Sequence, residues 1–187
     1  DGLAITKTSM VDSRNSAQIK FDNVVVSSSE TLGELNNGSG LLENVLDRAQ
    51  IAISAEMLGN ASQAFDITLD YLKERKQFGA VIGTFQALQH RAAEMYSELE
   101  LTKSSVIAAC NAVDDNSNDL KRMASLAKFK AGETNHLVTN EAVQMHGGVG
   151  VTDEYDVGLY LKRARVTEQI FGNSEYHIDR YATLSDY

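Results

Sequence analysis

The sequence predicts a mainly α protein, an antiparallel four-helix bundle preceded by a few β-strands. Three observations carry this reading. The 187 residues include no proline, where an average usage of about 5% would supply roughly nine. Proline removes a helix N–H and clashes with the preceding turn, so its absence suits long helices. From Gly40 onward apolar residues recur at helical spacing. The first forty residues carry short β-branched runs broken by polar ones instead.

Leu3–Thr6 and Ala17–Val26 read as strands. Ile19 and Phe21 alternate with Gln18, Lys20 and Asp22, the period-2 pattern of a half-buried strand. Asp22-Asn23 offers a turn or bulge before Val24-Val25-Val26, and Ser27–Glu30 closes the segment. Two or three strands are not stable alone, so residues 1–36 are expected either to pack on something else or to belong to a larger sheet, with the bundle over 37–187.

Asn36-Asn37-Gly38-Ser39-Gly40 supplies a loop and cap for a first helix running to about Glu74, with Leu42, Val45, Leu46, Ala49 and Ile53 on one stripe. Thr84 is the expected N-cap of a second helix towards Val113, with Phe85, Leu88, Ala92, Met95 and Leu99 on one face. Asp114–Asn118 reads as a solvated loop. A third helix presents Leu120, Met123, Ala127, Ala131, Val138, Ala142 and Met145, and stops at Gly147-Gly148-Val149-Gly150. Thr152-Asp153-Glu154 is expected to cap a fourth helix ending on Lys162, Arg163 and Arg165, and Asn173-Ser174 a short last one. Helices of roughly 28–34 residues are about 42–51 Å long. Joined by short loops, they pack antiparallel.

Charge and cysteine count exclude several function classes. The 17 Lys and Arg against 26 Asp and Glu give a net charge of -9, which argues against nucleic acid or an anionic membrane surface as partner. One cysteine, Cys110, permits neither an internal disulfide nor a multi-cysteine zinc site. It sits among Ala108, Ala109 and Ala112 and is expected to be a buried small hydrophobe. No apolar run reaches the roughly 18 residues of a membrane span, and no signal-peptide pattern opens the chain. A reducing, cytoplasmic setting is the expectation. His90, His136, His146 and His177 show no metal-ligand spacing, so no metal site is expected.

Two strings stand out chemically. Arg75-Lys76-Gln77-Phe78-Gly79 reads either as a basic helix end with an aromatic plug and a glycine cap, or as a guanidinium fixed to fork onto phosphate oxygens. Gln144-Met145-His146-Gly147-Gly148-Val149-Gly150 reads as a glycine helix stop, or as a place where a ligand approaches the backbone closely. It is not a dinucleotide fingerprint, which needs a preceding strand and different glycine spacing. Tyr71, Tyr96 and Tyr155 read as amphipathic packing residues, and the dispersed acids as solvated faces.

Together Glu74–Gly79, Phe85-Gln86-Ala87-Leu88-Gln89, Gln144–Tyr155 and Arg163-Ala164-Arg165 resemble the acyl-CoA dehydrogenase family, in order and spacing, over nearly the whole chain. The resemblance implies that residues 1–36 are the last strands of that family's middle β domain and the rest its C-terminal helical bundle. It implies FAD as cofactor, α,β-dehydrogenation of an acyl-CoA thioester in fatty acid metabolism, an electron-transfer flavoprotein as acceptor, and a homo- or hetero-oligomer, a dimer or tetramer. It places Arg75 on the FAD pyrophosphate, Phe78 and Gln86 near the adenosine half, and Gln144, Gly147 and Gly148 on the same dinucleotide. The two groups come from different subunits in that family.

The departures from the family pattern are specific. The family's catalytic Glu falls on Phe171 or Gly172, depending on a one-residue gap, and neither accepts a proton. The alternative base position on the first bundle helix falls on Ala49; Asp47, about 200° away around the helix, should face elsewhere. The following position, often an arginine contacting CoA, is Gln50. The family's N-terminal helical domain and flavin-ring segments are not among these residues, so this stretch is expected to be inactive by itself. Two alternatives stand beside the dehydrogenase reading: a non-catalytic partner subunit or assembly module of a heteromeric enzyme, and a flavin oxidase or monooxygenase on the same scaffold. Acyl-chain specificity has no signature here.

Overall fold

The computed structural model describes every residue except Val11 and Ser13. The chain divides into two compact units, Asp1–Asn44 and Val45–Tyr187. In the first, β1 (Leu3–Ser9) pairs antiparallel with β2 (Asn15–Phe21), with Ile5 opposite Ile19. The alternation in β2 does not produce a buried face here, since Ile19 and Phe21 are exposed. Val24–Val26 does not continue as a strand, because Asn23 turns the chain with φ at 50°. A single 3₁₀ turn, Ser28–Glu30, closes the segment, and the Glu30 carboxylate accepts from the Ser27 N–H at 2.7 Å.

Among the described residues five α-helices follow: α1 (Ser39–Glu74), α2 (Gln86–Asp114), α3 (Leu120–His146), α4 (Val157–Gln169) and α5 (Ser174–Thr183). Polar pairs read out their directions. Thr102 donates to Thr134 at 2.7 Å, Lys130 bonds Glu98, and Arg91 pairs with Glu141, so α2 and α3 are antiparallel. Arg163 to Glu56 and Asn60 to the Tyr160 carbonyl make α1 and α4 antiparallel. Asn60 to Asn135 and Tyr71 to the His146 carbonyl keep one constant offset of 75 residues, so α1 and α3 run parallel. These are the relations of an up-down-up-down bundle.

The buried stripe of α1 differs from the expected one. Leu42 and Val45 are exposed, whereas the expected Ile53 is buried and Asp47, Gln50, Ile51, Ser54, Met57, Ala61, Ala64, Phe65, Thr68 and Leu72 also face inward. The spacing is still helical, but its first turns are polar because they meet a polar cluster on α3 and α5. Within Val45–Tyr187 the main core joins Ala64, Phe65 and Leu72 to Met95, Leu99, Val138 and Met145. Cys110 is exposed, correcting the buried expectation: Val106, Ala109 and Ala112 hold the inner stripe of α2, and the next residue turns about 100° away.

Three helix ends also differ. Ile82–Thr84 form a 3₁₀ turn in which Thr84 Oγ1 donates to the Val81 carbonyl, so Phe85 rather than Thr84 is the N-cap of α2. Thr152 Oγ1 likewise bonds the Val149 carbonyl, and α4 starts only after Asp156. Lys162, Arg163 and Arg165 are not terminal, since α4 continues to Gln169 and its last turn has no basic residue. Asn173 does cap α5, accepting from the Tyr176 N–H at 3.0 Å.

Leu72 is 3% exposed in the main core and lies one turn before Arg75. Leu72→Ala should therefore cost about 2–5 kcal/mol, read as a lower urea midpoint with an unchanged slope; a change below about 0.5 kcal/mol would contradict the packing described.

Candidate functional site

At one end of the bundle α1 stops and α2 and the turn after α3 begin and end. The Arg75 string is not a helix cap. Lys76–Gln77 (β3) pairs antiparallel with Ala80–Val81 (β4), and Phe78-Gly79 forms the two-residue turn with φ of 54° and 78°. Both torsions are left-handed, as a type I′ hairpin requires, which is unusual for phenylalanine. The hairpin presents Phe78 at 93% exposure, its ring 6.3 Å edge-on from Phe85. Arg75 is exposed, and among the described residues its guanidinium enters no ion pair. Gln86, the first residue of α2 and the one after Phe85, is exposed.

The second string ends α3. Gln144, Gly147 and Gly148 are exposed, and Gly147–Val151 form a 3₁₀ turn entered through Gly147 with φ at 64°. A Cβ on Gly147 or Gly148 would meet nothing within 4 Å, so open space lies against this backbone. Gly150 differs: a Cβ there would lie 2.8 Å from His146 Cβ and from the Val143 carbonyl. That glycine serves close packing.

Tyr71 ties the two strings together. Its hydroxyl donates to the His146 carbonyl at 3.3 Å, its ring stacks on the imidazole at 4.2 Å, and Tyr155 packs edge-on against it at 5.3 Å. His146 is buried and donates Nδ1–H to the Ala142 carbonyl at 2.7 Å, which leaves Nε2 as a bare acceptor without a partner. Burial holds its pKa below the usual histidine value, outweighing the bond to Ala142. The ring is therefore neutral at pH 7.

A separate polar cluster lies under the turn that joins α4 to α5. Phe171 and Gly172 both have positive φ, 60° and 104°. Phe171 is partly exposed. A Cβ on Gly172 would lie 2.4 Å from Tyr176 Cδ1 and 3.0 Å from His177 Nε2, so a side chain at this position requires the Tyr176 ring to move. Lys128, His177 and Arg180 gather beneath. Arg180 pairs with Asp47 at 2.6 Å and donates to Gln50 and Ser125 at 3.1 and 3.0 Å. Asp47, expected to face away, is 1% exposed. Ala49, between Asp47 and Gln50, is half-buried.

Sequence reasoning missed Lys128, His177 and Arg180. The signal was present for Lys128, a charge lying between Ala124, Ala127 and Ala131 on the inner stripe. Arg180 gave none, because its partners lie 55 to 133 residues away. Burial pushes His177 down to about 4, with the Lys128 and Arg180 charges adding to it against the bond to Phe171. Burial also lowers Lys128 to about 8, opposed by Glu168. Among the described residues no group of three His, Cys, Asp or Glu side chains is placed to hold a metal, and no helix is long and apolar enough to cross a membrane.

With this geometry in place, comparison with known proteins is decisive. A family model described as the acyl-CoA dehydrogenase C-terminal domain matches residues 36–183. The chain belongs to the acyl-CoA dehydrogenase family. It is 35% identical, over 88% of its length and 38% of the relative's, to a mitochondrial short/branched chain specific acyl-CoA dehydrogenase of Bos taurus. It is 36% identical, over 85% of its length and 42% of the relative's, to the caffeyl-CoA reductase-Etf complex subunit CarC of Acetobacterium woodii. Among solved structures, butyryl-CoA dehydrogenase from Megasphaera elsdenii superposes with a TM-score of 0.90 at 26% identity, over 100% of this chain and 49% of that one. The chain thus spans about two-fifths of the length of these curated relatives. As a member of an oxidoreductase family of flavoproteins it has the family's helical bundle fold.

Two outcomes are expected from the buried cluster. A histidine near 6.5 when unfolded and about 4 when folded binds fewer protons in the native state. Its contribution is therefore complete above pH 6.5 and lost as pH falls towards 4. His177→Gln should flatten the stability–pH curve over that window in urea titrations; an unaltered acid slope would contradict the assignment. Gly172→Ala should cost at least about 1–3 kcal/mol from its left-handed torsion, and a neutral effect would contradict the geometry of the turn.

Proposed function

We propose that this chain is the C-terminal region of an FAD-dependent acyl-CoA dehydrogenase that desaturates an acyl-CoA thioester between its α and β carbons, and that the bundle contributes FAD binding and oligomerisation. The observation that carries the FAD part is that this bundle end offers two separate anion-compatible surfaces, an exposed Arg75 that enters no ion pair among the described residues and the open Gly147-Gly148 backbone. The donor set fits the group. A diphosphate is met by a guanidinium fork and by backbone N–H groups, and in a chain of net charge -9 that positive charge has to be local.

In this reading Arg75 holds the pyrophosphate, while Phe78 and Gln86 flank the adenosine half. Gln144, Gly147 and Gly148 let the dinucleotide lie against the backbone. The two groups serve cofactors of different subunits, so each FAD spans a contact between copies or homologous chains. Bound FAD supplies the acceptor for the β-hydride. An acyl-CoA is the substrate, and an electron-transfer flavoprotein is the acceptor, consistent with the similarity to a subunit of an Etf complex.

A second reading is favoured by one observation. The turn where the family carries its base presents Phe171, and a side chain at Gly172 would run into the Tyr176 ring and needs a left-handed torsion. This chain is then the non-catalytic partner in a heteromeric enzyme whose base is elsewhere. Ala49 supplies no base either. Of the two positions for the missing Glu, we assign Phe171, since Gly172 fits the side-chain-free position.

Three measurements test these assignments on the purified native protein. Flavin absorbance should accompany it, and a colourless protein that takes up no added FAD contradicts the proposal. Arg75→Ala removes a charge-assisted bond of about 1.5–3 kcal/mol, so FAD should bind roughly 10- to 150-fold more weakly, with Arg75→Lys intermediate; unchanged affinity contradicts the role. Phe171→Glu should produce or raise acyl-CoA-dependent bleaching of the flavin while Gly172→Glu should not.

A further inference from the structure

The turn after α4 is held from beneath by buried donors belonging to three different helices. Lys128 of α3, 1% exposed, donates from Nζ to the Glu168 carbonyl at 3.0 Å and to the Gly172 carbonyl at 2.8 Å. His177 of α5, fully buried, donates Nε2–H to the Phe171 carbonyl at 3.0 Å, and the Gln50 amide of α1 reaches the same oxygen at 3.5 Å. Three carbonyls within five residues thus end on donors out of reach of water.

Packing does not require this. A buried ammonium costs stability by desolvation, and an apolar side chain of the same volume is commonly neutral or better. What the clamp supplies is one conformation of a backbone that otherwise disfavours it. Phe171 and Gly172 are successive left-handed residues, and Phe171 is the non-glycine one. Its torsion costs on the order of 1–3 kcal/mol and persists only where the surroundings over-determine it. The turn's own bonds are long: Ile170 N–H to Val166 at 3.3 Å and Gly172 N–H to Gln169 at 3.4 Å. The carbonyl side therefore fixes the turn, and with it the direction in which the half-exposed Phe171 side chain leaves the bundle.

We infer that Lys128, seconded by His177, is the positioning residue of this turn, setting the side chain at position 171 against the acyl-CoA substrate. The substrate part rests on the function proposed above, whereas the clamp is a property of the bundle. The same clamp would serve whichever residue stands at 171, including a glutamate introduced there.

Amide hydrogen exchange resolved by residue tests it on the intact chain. In Lys128→Met, exchange at Phe171 and Gly172 should accelerate at least tenfold, while Val106 and Ala109 in α2 keep wild-type rates and the urea midpoint does not fall. His177→Gln, whose amide can donate in place of the ring, should keep the turn protected, and His177→Leu should release it. Turn amides as protected as wild type in Lys128→Met and His177→Leu would overturn the inference. So would protection lost only in step with the whole bundle. Should Lys128→Met not fold, the His177→Gln and His177→Leu pair decides by the same comparison. Absence of acyl-CoA bleaching in Phe171→Glu would leave these rates unchanged, so the functional reading and the clamp fail separately.

Discussion

Helix α3 packs against α2, α4 and α5, bonds α1 through Asn60 and Asn135, and buries 14 of its 27 residues. A helix enclosed on so many sides has to be narrow where its neighbours approach and internally satisfied where it is polar. Ala124, Ala127, Ala131, Gly132 and Ala142 meet the first demand. At Gly132 a Cβ would lie 2.7 Å from Ser174 Oγ, so a larger residue there requires the first side chain of α5 to turn aside. Thr134 and Thr139 meet the second, sharing their hydroxyls with Thr102 and with the Asn135 carbonyl.

From this enclosure both chemically interesting regions follow. The middle of α3 carries Lys128 into the turn at Phe171, and its last turn carries His146 into a stack with Tyr71. Neither side chain can move without disturbing the packing around it. The Arg75 hairpin and the Gly147 turn are thus fixed relative to each other by the same element that fixes the α4–α5 turn. That rigidity keeps each of these surfaces in one place, and ligand geometry tolerates little displacement.

The helices were largely legible in the sequence because their periodicity is local: α1, α2, α3 and α5 begin and end within two or three residues of the expected positions. Their exact caps were less so, since Thr84 and Thr152 spend their hydroxyls on 3₁₀ turns that compete with helix entry. The strings at Arg75 and Gly147 were visible as motifs, but the hairpin inside the first was not, because a left-handed phenylalanine has no propensity signal. The buried charges were invisible for a different reason. Asp47 and Arg180 look like surface residues until helices 133 positions apart in sequence bring them together. The half-buried strand face expected at Ile19 and Phe21 is not formed, because alternation shows which side chains share a face and not whether anything covers it.

The central claim is that one end of the bundle supplies two FAD-binding surfaces, Arg75 to Gln86 and Gln144 to Gly148, each to a cofactor shared with another subunit. An FAD bearing a photoreactive azide on its adenine ring tests this most directly. After irradiation of the native protein and proteolysis, the account predicts adducts in the peptides containing Phe78–Gln86 or Gln144–Gly148, abolished by excess unmodified FAD. Competable adducts confined to other segments, with none in these two, would contradict it.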